Sequence, residues 1–251
     1  MQTPASSQPR PATSSSLQRR SASRRTKPTA RPRRWHGDFR TILNIVRSGQ
    51  IGKVFRIDAA TSHYGNPGTW WRSSKAISGG AMYDWGADYC DWTLNLMSKR
   101  IDSVTGDFQK RKWHHSTNED YCYALIRFED GTTATLEQGN LAAIPRKGWR
   151  ILGTDGGIEN DGPGRDIRLL RHSEFDAGTN SMMSPPKSNW SGYYANVANH
   201  LIMDEPLIVT PEQARRAIGV IYQAEQSAAQ GGKPLPIPGE ENYTPDYIIP
   251  W

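Results

Sequence analysis

Three aspartates mark the stretch of this chain most able to do chemistry. Gly79–Met97 reads GGAMYDWGADYCDWTLNLM, with Asp84, Asp88 and Asp91 at i, i+4 and i+7. On a helix that spacing lines three carboxylates along one face. An aromatic stripe of Met82, Trp85, Tyr89, Trp92 and Leu96 lies beside it, about 100° around the axis. Such carboxylates can rim a pocket, exchange protons or hold a hard cation. No coordinating loop accompanies them, which argues against the cation. On spacing alone a solvated helix face is the simplest account, and Asp84 could merely complement a helix N-terminus.

Other candidates are single residues. Arg72, after Trp71, can grip a hydroxyl or carboxylate, and a surface salt bridge competes with that reading. Tyr83 and Trp85 flank Asp84, and aromatic faces suit sugars, although Trp85 lies on the stripe assigned to packing. His63 and Tyr64 end a β-prone run from which they can reach a site. His200, in ANHL, is more safely read as a satisfied structural histidine. His114 and His115 have no partner spacing. Gly153–Gly164 (GTDGGIENDGPG) lacks the GxGxxG spacing of a dinucleotide loop and reads as a turn between strands. Cys90 and Cys122 sit in apolar stretches without CxxC spacing, as buried free thiols. No metal site and no cofactor-binding residue is assigned.

The elements that position these residues follow from periodicity. Phe39, Ile42, Leu43 and Val46 form an amphipathic helix after Asp38, ending near Gly49 and Gly52. Val54–Thr61 is β-prone, and Gly79-Gly80 opens a helix to about Met97. Tyr121–Phe128 alternates, turns at Asp130-Gly131 and returns through Thr132–Gln138 as a hairpin. Trp149–Gly153 with Gly156–Ile158, and Asp166–Arg171, continue the strands. Trp190 to about Ile202 is helical, and Thr210-Pro211-Glu212-Gln213 is a capping box opening a last helix to Gly231-Gly232. This order predicts an α+β fold, with an open, mainly antiparallel or mixed β-sheet and helices packed on one face. The uncovered face is then expected to be partly apolar and to seek a second copy.

The 251 residues carry 31 Lys and Arg against 25 Asp and Glu, a net charge of +6. Nine of those bases fall in residues 1–34, which hold no acid, so the other 22 face all 25 acids and the remainder stands at −3. Basicity belongs to the tail, and no aromatics interleave its arginines, which argues against nucleic acid as a partner. Residues 1–33 are Ser-, Pro- and Arg-rich and predict a disordered tail, with the folded domain at 34–251. A transit peptide would need an amphipathic face, and a twin-arginine signal a hydrophobic stretch; neither is present. No apolar run approaches the roughly 20 residues of a membrane helix, and a cytoplasmic location is expected.

Several segments together resemble the Gfo/Idh/MocA family of NAD(P)-dependent oxidoreductases. They are Arg33–Phe39 (RRWHGDF), Gly49–Val54 (GQIGKV), Trp71-Arg72, Gly79-Gly80 with Tyr83–Gly86 (YDWG), the GWRILGTDGGIEND segment and TPEQARRAIGVIYQAEQSAAQGG. The resemblance runs from Arg33 to about Pro238 and implies the substrate-binding, dimerising C-terminal half of an enzyme acting on a hydroxyl of a sugar, inositol or related polyol. It implies NAD or NADP as cofactor, carried by a Rossmann half that is expected upstream, in another reading frame. This chain alone is then not expected to bind the dinucleotide or turn over. The family's aspartate and histidine, four apart on a helix, map onto Asp84 and Asp88, the catalytic candidates. Arg72, Tyr83, His63 and His200 are the substrate-binding candidates.

Two departures stand out. No EKP lysine motif occurs in the chain, and the histidine position holds an aspartate, an ordinary one of which is a poor base at neutral pH. Asp84 and Asp88 are expected to face one cleft with Arg72, and Asp88→His to restore a base. The alternative is a non-catalytic binding or scaffold protein on the same fold.

Overall fold

The computed structural model describes residues 32–172 and 178–244. The expectation of disorder over residues 1–33 therefore falls, but for Pro32 and Arg33, outside the described residues. The body begins with a 3-10 turn, Pro32–Trp35, and continues through α1 (Gly37–Arg47), β1 (Val54–Ala60), the short α2 (Lys75–Ser78) and α3 (Trp85–Met97). Seven strands follow: β2 (Ile101–Gln109), β3 (Tyr121–Phe128), β4 (Thr133–Gly139), β5 (Trp149–Gly153), β6 (Gly156–Asn160), β7 (Ile167–Arg171) and β8 (Thr179–Met183). Two helices close the order, α4 (Ser191–Met203) and α5 (Pro211–Ala229).

The strands form one open sheet in the order β2-β3-β4-β1-β5-β6-β7-β8. Every pair is antiparallel except β1 with β4, which is parallel. The fold is α+β as expected, with a mostly antiparallel sheet. Period-2 alternation puts Cys122, Ala124, Ile126 and Phe128 of β3 on one face with Leu136 of β4, Ile57 of β1 and Ile151 of β5, all buried. Against that layer pack α3, through Tyr89 and Trp92, and α5, through Val220, Ile221 and Ala224. The approach of α5 to β2 needs a glycine, because a Cβ on Gly106 would stand 1.9 Å from the Ala224 carbonyl oxygen.

Two strands escaped the periodicity. In β2 the register slips between Ile101 and Ser103, so Ile101 and Val104 both turn inward, three apart, in a spacing that mimics a helix. β8 is an exposed edge strand of mostly polar residues. A third difference bears on the site. Gly79-Gly80 does not open α3; a 3-10 turn, Ala81–Tyr83, intervenes, and Asp84 (φ −81°, ψ −105°) stands outside the helix. The three-carboxylate face is thus reduced to Asp88 and Asp91.

The face of the sheet away from α3 and α5 is less apolar than expected. Leu125 and Tyr123 lie on it, but its centre is ion-paired: Arg56 and Arg150 both bond Asp58 (2.8 and 2.9 Å), and Arg146 approaches Glu137 (3.4 Å). Burial alone would raise the Asp58 pKa, but hydrogen bonds from Arg56, Thr135 and Arg150 outweigh it and hold the carboxyl below its ordinary value. Among the described residues no helix is long and apolar enough to cross a membrane. Cys90 and Cys122 are buried free thiols, and burial pushes the Cys122 thiol well up.

Candidate functional site

Where β1 and β4 end side by side, the chain leaves the sheet and builds a cleft of about 320 Å³. Thr61 and His63 follow β1, while Gln138, Gly139 and Asn140 close β4. Opposite them stand Trp70 and Arg72, then Gly80, Ala81, Asp84 and Trp85 at the entry to α3, then Ser116, Asn118 and Glu119 ahead of β3.

Arg72 and Asp84 are the centre of this arrangement. The Arg72 Nε donates to Asp84 Oδ2 at 2.6 Å, and the guanidinium lies over the rings of Trp71 (4.3 Å) and Trp70 (4.7 Å). Asp84 can be reached in this way because it precedes α3. The first turn of that helix is served instead by Gln138, whose Oε1 accepts the Gly86 N–H at 2.6 Å. Trp70 is half exposed; its indole N–H donates to the Pro67 carbonyl at 2.8 Å, which fixes the ring at the rim.

The far wall is held as firmly. Asn118 donates to the Arg72 carbonyl (2.6 Å) and to Ser78 Oγ (2.8 Å). Glu119 accepts from Lys75 Nζ (2.5 Å) and from the Ala81 N–H (3.2 Å). Asp120, 1% exposed, accepts the backbone N–H groups of Arg111, Lys112 and Trp113 at 2.7, 2.6 and 3.2 Å, and the Lys110 ammonium at 2.8 Å. Burial alone would raise its pKa, but these donors outweigh it and hold the carboxyl at about 2. That side chain ties residues 110–113 together.

Of the residues singled out from sequence, Asp84, Arg72 and His63 line the cleft, as does Trp85, and Asp88, Tyr83 and His200 are not among its lining residues. Asp88 is 5% exposed and pairs with Arg33 at 2.9 Å, and the Arg33 guanidinium also lies 3.9 Å above Trp85. The Tyr83 hydroxyl donates to Glu225 at 3.2 Å; burial first, then the Glu225 charge, pushes its pKa up to about 12. His200 Nδ1 stands 2.7 Å from the Glu205 carbonyl oxygen, on α4. Trp70, Asn118, Glu119 and Gln138 had not been picked out, and no spacing in the chain joins them.

A second cavity, of about 280 Å³, lies between α3, α5 and residues 239–244. Its charged groups satisfy one another: Arg34 forks onto Asp91 (2.7 and 2.5 Å) and Arg216 onto Glu240 (3.0 and 2.5 Å). It offers a ligand no open charge from these pairs.

The glycine-rich stretch does not form a dinucleotide loop. Gly153–Gly164 turns β5 into β6 and leads on to β7, so no helix N-terminus follows to meet a pyrophosphate. What the cleft can do is grip a small polar molecule between an indole face, one guanidinium and two carboxylates.

Residues 39–159 match the sequence profile of the GFO/IDH/MocA C-terminal domain. The chain is 22% identical over 223 residues to scyllo-inositol 2-dehydrogenase (NADP(+)) IolW of Bacillus subtilis (strain 168), a match covering 79% of this chain and 61% of that protein. It thus spans about three fifths of the length of that relative. Its fold is that of the putative oxidoreductase yvaA from Bacillus subtilis (TM-score 0.73, 19% identity, 81% of this chain and 64% of that one). It is shared with the aldose-aldose oxidoreductase from Caulobacter crescentus, solved with glycerol (TM-score 0.71, 18% identity, 82% and 62%). Over residues 39–159 the chain carries the C-terminal domain of the Gfo/Idh/MocA oxidoreductases.

Proposed function

We propose that this chain is the substrate-holding part of an NAD(P)-dependent oxidoreductase and binds an uncharged sugar, inositol or related polyol in the Trp70–Arg72–Asp84 cleft. The observation that carries this reading is the Arg72–Asp84 pair beneath the Trp70 indole. Its donors and acceptors match the alternating donor and acceptor capacity of neighbouring hydroxyls, and the ring offers a flat apolar face to sugar C–H groups. With Arg72 paired to Asp84 and Lys75 to Glu119, these groups offer no spare positive charge to a phosphorylated or acidic sugar. In this reading His63, Asn118 and Gln138 orient the polyol, and the dinucleotide is held by parts of the assembly other than the described residues. The protein works in the cytoplasm, consistent with its two free thiols, and self-associates through the uncovered sheet face.

A second reading, a binding or scaffold protein without catalysis, is favoured by one observation. Asp88, at the position where the family resemblance places a histidine, is held in an ion pair by Arg33. Titration of the 251-residue chain with scyllo-inositol, followed by tryptophan fluorescence, tests what both readings share. Saturable quenching that Trp70→Phe reduces, and that an acidic sugar does not reproduce, is the expected result. No saturation into the molar range would sink the polyol site.

A further inference from the structure

Five exposed large hydrophobic side chains, Trp190, Tyr194, Leu201, Ile202 and Met203, gather on and beside α4. From Ser188 to Met203 there is no Asp, Glu, Lys or Arg. Tyr193 and Asn196 turn inward and are buried. Trp190 (54% exposed), Tyr194 (66%), Leu201 (78%) and Ile202 (81%) turn outward together with exposed Ala195 and Ala198. Spacings of four, four and three or four residues put Trp190, Tyr194, Ala198 and the Leu201-Ile202 pair on one stripe. An ordinary surface helix carries charge along that stripe.

We propose that this face docks a second copy of the same chain, α4 against α4 in antiparallel, about a two-fold axis at the level of Asn196. Three properties of the stripe point to a copy of itself. First, its pattern is self-complementary: the axis sets Tyr194 of one copy over Ala198 of the other, and Trp190 against Ile202, so each large side chain meets a smaller one or a flat one twice over. Secondly, the charges sit only at the ends and with opposite signs. Lys187 precedes the helix and Asp204 follows it, both exposed, and the antiparallel arrangement brings each beside the other's counterpart. Thirdly, the outward side chains expose on the order of 700 Å², close to the roughly 800 Å² that each partner contributes to a stable interface. This surface is separate from the uncovered sheet face and does not depend on the cleft.

Sedimentation of the full chain across micromolar concentrations, unaltered and with Ile202→Lys, tests the proposal. Ile202 is exposed, so the variant should fold and melt as the parent does. Each dimer loses the contact twice, and at about tenfold per lost contact the dissociation constant for this interface should rise about 100-fold. The assembled mass should fall by half whether or not the sheet face carries Leu125→Lys. Lys187→Glu alone should weaken association, and Lys187→Glu with Asp204→Lys should recover it. A monomeric parent, an assembled mass indifferent to Ile202→Lys, or self-association abolished by Leu125→Lys alone would each overturn the proposal. Charge reversals that merely add would overturn the antiparallel pairing.

Discussion

Arg33 holds Asp88 at 2.9 Å while its guanidinium lies 3.9 Å above the Trp85 ring, so one side chain links a buried carboxylate of α3 to a wall of the cleft. Its neighbour Arg34 forks onto Asp91, one helical turn further on. The acidic face of α3 is therefore matched by consecutive arginines of the 3-10 turn that begins the body.

The Arg33–Asp88 pair should behave as a coupled unit. Removing one partner takes the ion pair from the other, so Arg33→Gln and Asp88→Asn should each cost about 1–3 kcal/mol. The double variant should cost less than the sum of the two. Urea unfolding of the four proteins checks this, and strict additivity would show that the contact carries no energy.

Arg34 is more demanding. It is 1% exposed, forks onto Asp91 and gives its remaining nitrogen to the Ile208 carbonyl and Gln213 Oε1, both at 2.8 Å. A lysine cannot reproduce the fork, so Arg34→Lys should lose about 2–4 kcal/mol despite keeping the charge. A midpoint in urea within experimental error of the parent would contradict that.

Acid should loosen the cleft through Asp120. Its folded pKa, about 2, is depressed below the ordinary aspartate value near 3.9. A depressed folded pKa means that its stabilisation is complete above the unfolded value and fades as pH falls from about 4 to about 2. The contribution is roughly 1–2 kcal/mol, and Asp120→Asn should remove it at neutral pH and flatten that part of the stability–pH curve. Thermal unfolding of both proteins between pH 2 and 7 decides it; parallel curves would place the acid sensitivity elsewhere.

What was legible in the sequence was what local pattern encodes. The stripe of α1, the Asp130-Gly131 hairpin and the Thr210/Gln213 capping box are each complete within a few residues, and each forms where expected. β2 hid behind its bulge, whose extra residue breaks the alternation. The start of α3 was misjudged because a 3-10 turn, Ala81–Tyr83, follows Gly79-Gly80 and leaves Asp84 ahead of the helix, where Arg72, twelve residues upstream, bonds it. The cleft was half visible. Asp84, Arg72 and His63 were recognisable by type and family resemblance, whereas Trp70, Asn118, Glu119 and Gln138 come together only when the ends of β1 and β4 meet.

The polyol site makes the last prediction, and its strength lies in contrasts between residues close in sequence. Asp84 lines the cleft and can accept from a substrate hydroxyl; a hydrogen bond to a charged group is worth about 1.5–3 kcal/mol, so Asp84→Asn should weaken scyllo-inositol binding ten- to a hundredfold. Arg72→Ala should cost at least as much, because it removes a donor and also leaves Asp84 without the guanidinium that orients it. Trp70→Ala removes the apolar face and should cost about tenfold. Asp88 and His200 do not line the cleft, so Asp88→Asn and His200→Ala should leave affinity within about twofold once their effect on folding is corrected for. Calorimetric titration of the five variants at one pH reads all of this directly. If Asp88→Asn weakens binding as much as Asp84→Asn does, both carboxylates reach the ligand, and the Arg33 pair must open when a polyol enters.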